Sequence, residues 1–203
     1  MKPRVRHLLL DFDNLLARYR RERRVAHLAA RAGAPFARVW QVLYEDGLEA
    51  RYAAGHVGTA EYLRRLGEGI GAPVDEAAWQ EARIEATTAD ERALARLLAL
   101  DPALPMAVLT NNGELVVPVV AQVLAPLRPR LRQVLCSGAL GVRKPQPQAF
   151  QVALERLGWS ADGTLFVDDL FANVQGARRA GLHADTARDA RALGRVLRRF
   201  GLA

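Results

Sequence analysis

Apolar residues fall into two kinds of run along this chain. Short continuous runs at residues 5–10, 106–109, 134–135, 165–167 and 182–184 read as strands buried on both faces. Between and after the later runs, apolar positions recur at helical spacing over 90–100, 115–124, 148–157, 171–180 and 187–200, and Gly181 closes the fourth of these helices. Strands alternating with helices predict a parallel sheet covered on both faces. The stretch after the first strand is different. Helical patterns run over 15–32, 36–45, 60–66 and 76–87, broken at Gly33-Ala34-Pro35, at Gly55 and Gly58, and between Gly67 and Gly71. Nothing there reads as a strand. The pattern predicts an α/β core made of residues 1–15 and 88–203, with an all-helical insert over 16–87.

Composition narrows the class. A chain of 203 residues that is 50% apolar can bury a full core and still carry a smaller lobe. No apolar run approaches the ~18 residues of a membrane span. The first residues lack a signal-peptide core, and the single cysteine, Cys136, supports neither an internal disulfide nor a thiolate metal site. A cytoplasmic location is expected. Net charge is +7, with 27 arginines against two lysines, so arginine is the default cation of this sequence. The run Arg18, Arg20, Arg21, Arg23 and Arg24 raises the idea of a nucleic-acid surface. Glu22 interrupts it, only Tyr19 adds an aromatic, and no nucleic-acid motif accompanies it. The expected partner is instead a small anionic molecule, drawn in by the excess positive charge.

Four polar segments lie at or beside the ends of the predicted strands: Asp11-Phe12-Asp13-Asn14, Thr110-Asn111-Asn112, Lys144-Pro145 and Asp168-Asp169. Ligands of parallel α/β sheets bind beyond the carboxyl ends of the strands, so these segments should converge. An aspartate such as Asp11 can attack phosphorus and form an acyl phosphate. A second carboxylate two residues on, Asp13, can protonate the leaving oxygen and later deprotonate water. A few carboxylates and a backbone carbonyl suit Mg²⁺, with Asp11 and Asp169 as direct ligands, the Asp13 carbonyl completing the protein's share and Asp168 in support. Lys144 would oppose the charge of the phosphate oxygens, while the Thr110 hydroxyl and the Asn111 region fix their direction. Pro145 keeps Lys144 extended, and a lysine is conspicuous in a chain that otherwise writes arginine. Singly, these segments read as turns, helix caps and a surface lysine. Their joint placement at strand ends is what favours a phosphate and cation site.

These segments resemble the motifs of the haloacid dehalogenase superfamily, within it the phosphatase-like members with a helical cap inserted after the first motif. Residues 11–16, Asp-Phe-Asp-Asn-Leu-Leu, are similar to the nucleophile loop, and residues 108–112 to the second motif. Residues 141–150 are similar to the lysine motif and 166–178 to the acidic motif, while 55–62 resemble a helix entry of the cap. The resemblance implies a three-layer Rossmann-like core, Mg²⁺ and an aspartyl-phosphate on Asp11. Dehalogenases lack the second aspartate, so Asp13 speaks against that chemistry. The absence of any lysine between Lys2 and Lys144 speaks against Schiff-base phosphonate hydrolysis.

The expected activity is Mg²⁺-dependent hydrolysis of a small phosphorylated metabolite, a sugar phosphate in first place. A nucleotide phosphatase, a phosphomutase and an idle phosphate-binding protein are the alternatives. Substrate selection is expected from the cap, with Trp40, Tyr44, Arg51, Tyr52 and His56 as candidates.

Overall fold

The computed structural model describes residues 5–203, so the first four residues of the expected core segment lie outside it. Seven strands occur among the described residues: β1 (His7–Leu10), β2 (Ala17–Tyr19), β3 (Thr87–Ala89), β4 (Met106–Thr110), β5 (Leu131–Cys136), β6 (Thr164–Asp168) and β7 (His183–Thr186). Five of them form a parallel sheet in the order β5-β4-β1-β6-β7. The first strand is therefore central, and its carboxyl end is flanked by those of β4 and β6.

The strand sequences explain this burial. In β1, Leu8 and Leu10 join one apolar cluster and Leu9 joins another. Likewise Met106 and Val108 oppose Ala107 and Leu109, and Leu165 and Val167 oppose Phe166. Successive side chains of a strand point to opposite faces, so a continuous apolar run fits only a strand covered twice.

The helices supply both covers. They are α1 (Arg21–Ala32), α2 (Phe36–Trp40), α3 (Leu48–Ala53), α4 (Thr59–Ile70), α5 (Glu76–Glu85), α6 (Glu91–Leu98), α7 (Val116–Val123), α8 (Ser137–Leu140), α9 (Pro147–Leu157), α10 (Phe171–Arg179) and α11 (Ala190–Arg199). Leu94, Leu97, Val116, Val120, Leu193 and Leu197 of α6, α7 and α11 cover the first face. Phe150, Ala153, Val174 and Ala177 of α9 and α10 cover the second. The result is the three-layer α/β/α arrangement expected from the sequence.

Between β1 and β4 the expected all-helical stretch is corrected in one respect. Residues 17–19 are not the start of a helix and 87 is not the end of one. Ala17–Tyr19 pairs antiparallel with Thr87–Ala89, matching Tyr19 with Thr87 and Ala17 with Ala89. This two-stranded ribbon is the neck through which α1–α5 leave and rejoin the sheet. A short helix, α3, also falls where only a glycine-terminated gap was read.

The arginine run divides at this neck. Arg24 is fully buried, donating to Glu49 at 2.8 Å and to the Tyr62 hydroxyl at 2.9 Å, with its guanidinium carbon 4.6 Å from the Trp79 ring centre. A buried arginine with these partners organises the helical insert and is not part of a nucleic-acid surface.

Candidate active site

The chain leaves β1 at Leu10 and turns through Asp11-Phe12-Asp13-Asn14 into β2. Asn14 adopts φ 63°, a left-handed conformation that asparagine tolerates better than most residues. The amides of Leu16 and Ala17 both donate to the Phe12 carbonyl, at 3.0 and 3.2 Å. This tight turn fixes Asp11 and Asp13 at the carboxyl end of the central strand.

Lys144 Nζ lies 2.7 Å from Asp11 Oδ1 and 2.7 Å from Asp168 Oδ2, and the lysine is 2% exposed. Its backbone is held by Asn111, whose Oδ1 accepts from the Lys144 amide at 3.0 Å and whose Nδ2 donates to the Lys144 carbonyl at 2.9 Å. Asp168 is wholly buried and also accepts from the Leu170 amide at 2.8 Å and from Asn173 Nδ2 at 3.0 and 3.1 Å. Thr110 is buried and its hydroxyl accepts from Asn112 Nδ2 at 2.7 Å.

Gly176 lets α10 press against this loop. A methyl group there would stand 2.1 Å from the Pro145 carbonyl oxygen and 3.1 Å from Phe150 Cε2. Gly176→Ala is expected to lower stability by about 1–3 kcal/mol despite the better helix propensity of alanine, because a backbone carbonyl cannot swing aside. A thermal melt checks it. An unchanged midpoint would refute the close approach.

Charge is crowded at the strand ends. Burial pushes the Asp11 carboxyl up to about 7, with the Lys144 ammonium opposing that rise and Asp168 adding to it. Burial and then Asp168 likewise hold Asp169 above the usual carboxylate range. Burial works against the Lys144 charge, but Asp11 and Asp168 outweigh it and raise its pKa. Asp11, Asp168 and Asp169 offer carboxylate oxygens within 4.8 Å of one another, and one ammonium leaves this group with an excess of negative charge. All three are hard oxygen donors, so the set fits a divalent cation such as Mg²⁺. The Asp13 side chain does not join this group. It pairs instead with Arg83 of α5, at 2.6 Å.

Beside the acids a cavity of about 570 Å³ opens between the sheet and the helical insert, lined by Asp13, Asn14, Tyr19, Arg21, Tyr44, Glu49, Asn111, Asn112 and Arg143 among others. Of the five cap candidates, only Tyr44 lines it, with its hydroxyl 3.0 Å from that of Tyr19. The other four lie elsewhere. Trp40 stacks on Phe36 and packs at a tilt against Tyr44, while Arg51 and His56 face solvent. Tyr52 is buried against the sheet domain, accepting from the Leu115 amide at 3.0 Å beside Gly113, where any side chain would collide with its ring. Sequence reasoning missed Tyr19, Arg21, Glu49 and Arg143 as lining residues, and Arg83 as the partner of Asp13.

The profile of the haloacid dehalogenase-like hydrolases matches residues 5–181. The chain belongs to this family. Its α/β fold with a central parallel sheet is shared by a protein of Porphyromonas gingivalis described as a predicted HAD-like family hydrolase, at TM-score 0.75 and 23% identity over 96% of this chain and 98% of that one. A HAD family enzyme from Bacteroides thetaiotaomicron, solved with magnesium and inorganic phosphate, aligns at TM-score 0.73 and 21% identity over 90% of this chain and 93% of that one. A protein of Mycobacterium tuberculosis (strain CDC 1551 / Oshkosh) named as a phosphatase is 42% identical over 81 residues. That match spans 40% of this chain and 37% of the relative's length.

Among the described residues, no helix is long and apolar enough to cross a membrane.

Proposed function

We propose that this hydrolase is a Mg²⁺-dependent phosphomonoesterase acting on a small phosphorylated metabolite, with a sugar phosphate as the first candidate. The observation that carries the reading is the presentation of two carboxylates, Asp11 beside Lys144 and Asp13 on the cavity wall, by one turn at the end of the central strand. The phosphatase name of the partial relative, and the magnesium and phosphate bound by the structural neighbour, agree with it.

In this reading an Asp11 carboxylate oxygen attacks phosphorus, and the bond from phosphorus to the leaving oxygen breaks as Asp13 protonates that oxygen. Asp13 then takes a proton from water, which attacks the aspartyl phosphate, releasing inorganic phosphate and restoring Asp11. Lys144 balances charge on the phosphate oxygens, and Thr110 and the Asn111 segment shape the same end of the site. Asp11 and Asp169 would hold the Mg²⁺ directly, with the Asp13 carbonyl as a further donor, while Asp168, whose oxygens already accept from Lys144, Leu170 and Asn173, supports them by its charge. Bound there, the cation supplies positive charge that favours the ionised nucleophile and the phosphate group.

Of the described residues, 5–15 and 88–203 then form the catalytic core, and 16–87 a cap joined to it by the two-stranded neck. The cavity volume suits a small molecule. Tyr44, together with Tyr19, Arg21, Glu49 and Arg143, would select the leaving group, which replaces most of the cap candidates drawn from sequence.

The test is turnover of an aryl phosphate and of a panel of phosphorylated metabolites. Hydrolysis is expected to stop with EDTA and to return with Mg²⁺. Ca²⁺ should restore little, because its larger and looser shell misplaces the reacting groups. Full activity after exhaustive metal removal would refute the metal assignment, and no turnover of any phosphomonoester would refute the reading itself.

A further inference from the structure

The proton-handling carboxylate of the proposed reaction is gripped by an arginine of the helical insert. Arg83, on α5, is 1% exposed, and its Nη2 donates to both oxygens of Asp13, at 2.6 and 2.8 Å. The rest of the guanidinium is tied to the neck. Nη1 donates to Thr87 Oγ1 at 2.6 Å, and the guanidinium carbon stands 3.5 Å from the centre of the Tyr19 ring. Tyr19 and Thr87 face each other across the β2–β3 ladder, so one side chain touches both neck strands and Asp13. From the sheet side, Asn112 Nδ2 donates to Asp13 Oδ2 at 3.0 Å.

We propose that Arg83 is a positioning residue for Asp13, aiming one of its oxygens at the leaving group and making that aim depend on the seating of the neck; this rests on the phosphomonoesterase reading above. The acceptor count supports it. An ionised carboxylate has about four lone-pair sites. Arg83 occupies one on each oxygen and Asn112 the second on Oδ2, so the remaining site is on Oδ1. Oδ1 is thus the atom left to exchange a proton with substrate and water. A packing role alone would not call for a guanidinium here, because an apolar side chain of similar length fills such a space without the cost of burying a charge.

The experiment compares an alkyl phosphate, whose leaving oxygen needs a proton, with an aryl phosphate, whose leaving group needs little help. Arg83→Met is expected to lower the alkyl-to-aryl ratio of kcat by about 10–100-fold, a part of the ~10²–10⁴ that acid–base catalysis supplies. Arg83→Lys should recover part of the ratio, since a single ammonium can still hold one oxygen. In an Asp13→Asn background, replacing Arg83 should change the ratio by less than about threefold, as expected of two residues acting as one unit. Equal losses on both substrates, or a full additional loss on top of Asp13→Asn, would overturn the proposal while leaving the phosphatase reading intact. No turnover of either ester by the wild-type protein would overturn both. If Arg83→Met does not fold, the ratio in Arg83→Lys decides: a fall supports the proposal and an unchanged ratio overturns it.

Discussion

Asp11→Asn is expected to abolish phosphomonoester hydrolysis, by about 10⁴-fold or more, and yet to make the metal-free protein more stable above pH 7. The amide has nearly the shape of the carboxylate but cannot act as the nucleophile. The gain in stability follows from charge. Asp11, Asp168 and Asp169 crowd together with Lys144 the ammonium that pairs with two of them. Burial raises the folded-state pKa of Asp11 to about 7, above the ordinary aspartate value. A carboxyl raised in this direction favours the folded state fully below pH ~4, its unfolded value, and that contribution is lost as pH rises through about 7. An uncharged amide removes this loss. Melting curves in EDTA should therefore place the variant above the wild type at pH 8 and bring the two together near pH 4. Normal turnover, with deamidation excluded by mass, would sink the nucleophile assignment. A lower melting point at pH 8 would sink the electrostatic one.

How far the molecule could be read from sequence depends on the range over which each feature is determined. The central strands β1, β4 and β6 were legible because burial on both faces demands uninterrupted apolar residues, as in Leu8-Leu9-Leu10. Of the edge strand β5 only residues 134–135 were, since Arg132 and Gln133 interrupt it. The acids were legible because strand ends in a parallel sheet converge, and Lys144 because a lysine stands out in a chain that otherwise writes arginine. The neck strands were not. Ala17-Arg18-Tyr19 and Thr87-Thr88-Ala89 are only three residues each, too short for an alternation to show, and each is specified by its distant partner.

Buried arginines were hidden by composition, since in a chain with 27 of them one more carries little signal. A positional signal did exist. Arg83 falls on the same helical stripe as Ala78, Trp79 and Ala82, and Arg24 on that of Val25, Leu28 and Ala29, so each puts a charge on a buried face. Such a charge needs a partner, and for Arg83 the partner is Asp13, in the loop that follows β1. Tyr44 and Tyr52 could not be separated in this way. Both are aromatic residues of the insert, and Tyr52 is drawn against the sheet domain by Gly113 and Leu115, which are remote in sequence.

Lys144→Met is the second substitution expected to have a large effect, and it acts on stability and turnover together. Methionine preserves most of the stem but removes the ammonium that stands 2.7 Å from both Asp11 and Asp168. Breaking a buried ion pair from one side strands the remaining charges, at a cost of about 3–5 kcal/mol. Asp168 feels this most. It is wholly buried, and the Leu170 amide and Asn173 that remain to it are neutral. The metal-free variant should therefore melt well below the wild type, and hydrolysis should fall by about 10²–10³-fold or more through lost charge stabilisation. Mg²⁺ should raise the melting point of the variant more than that of the wild type, because it returns positive charge to the same carboxylates, while turnover stays low because the contact proposed between Lys144 and the phosphate is not replaced. Lys144→Arg should also be poor, since a planar guanidinium cannot take the place of a compact ammonium between two acids in a space closed to solvent. A Lys144→Met protein that melts like the wild type in EDTA would show that these carboxylates do not depend on the lysine, and the proposed site would have to be redrawn around the metal alone.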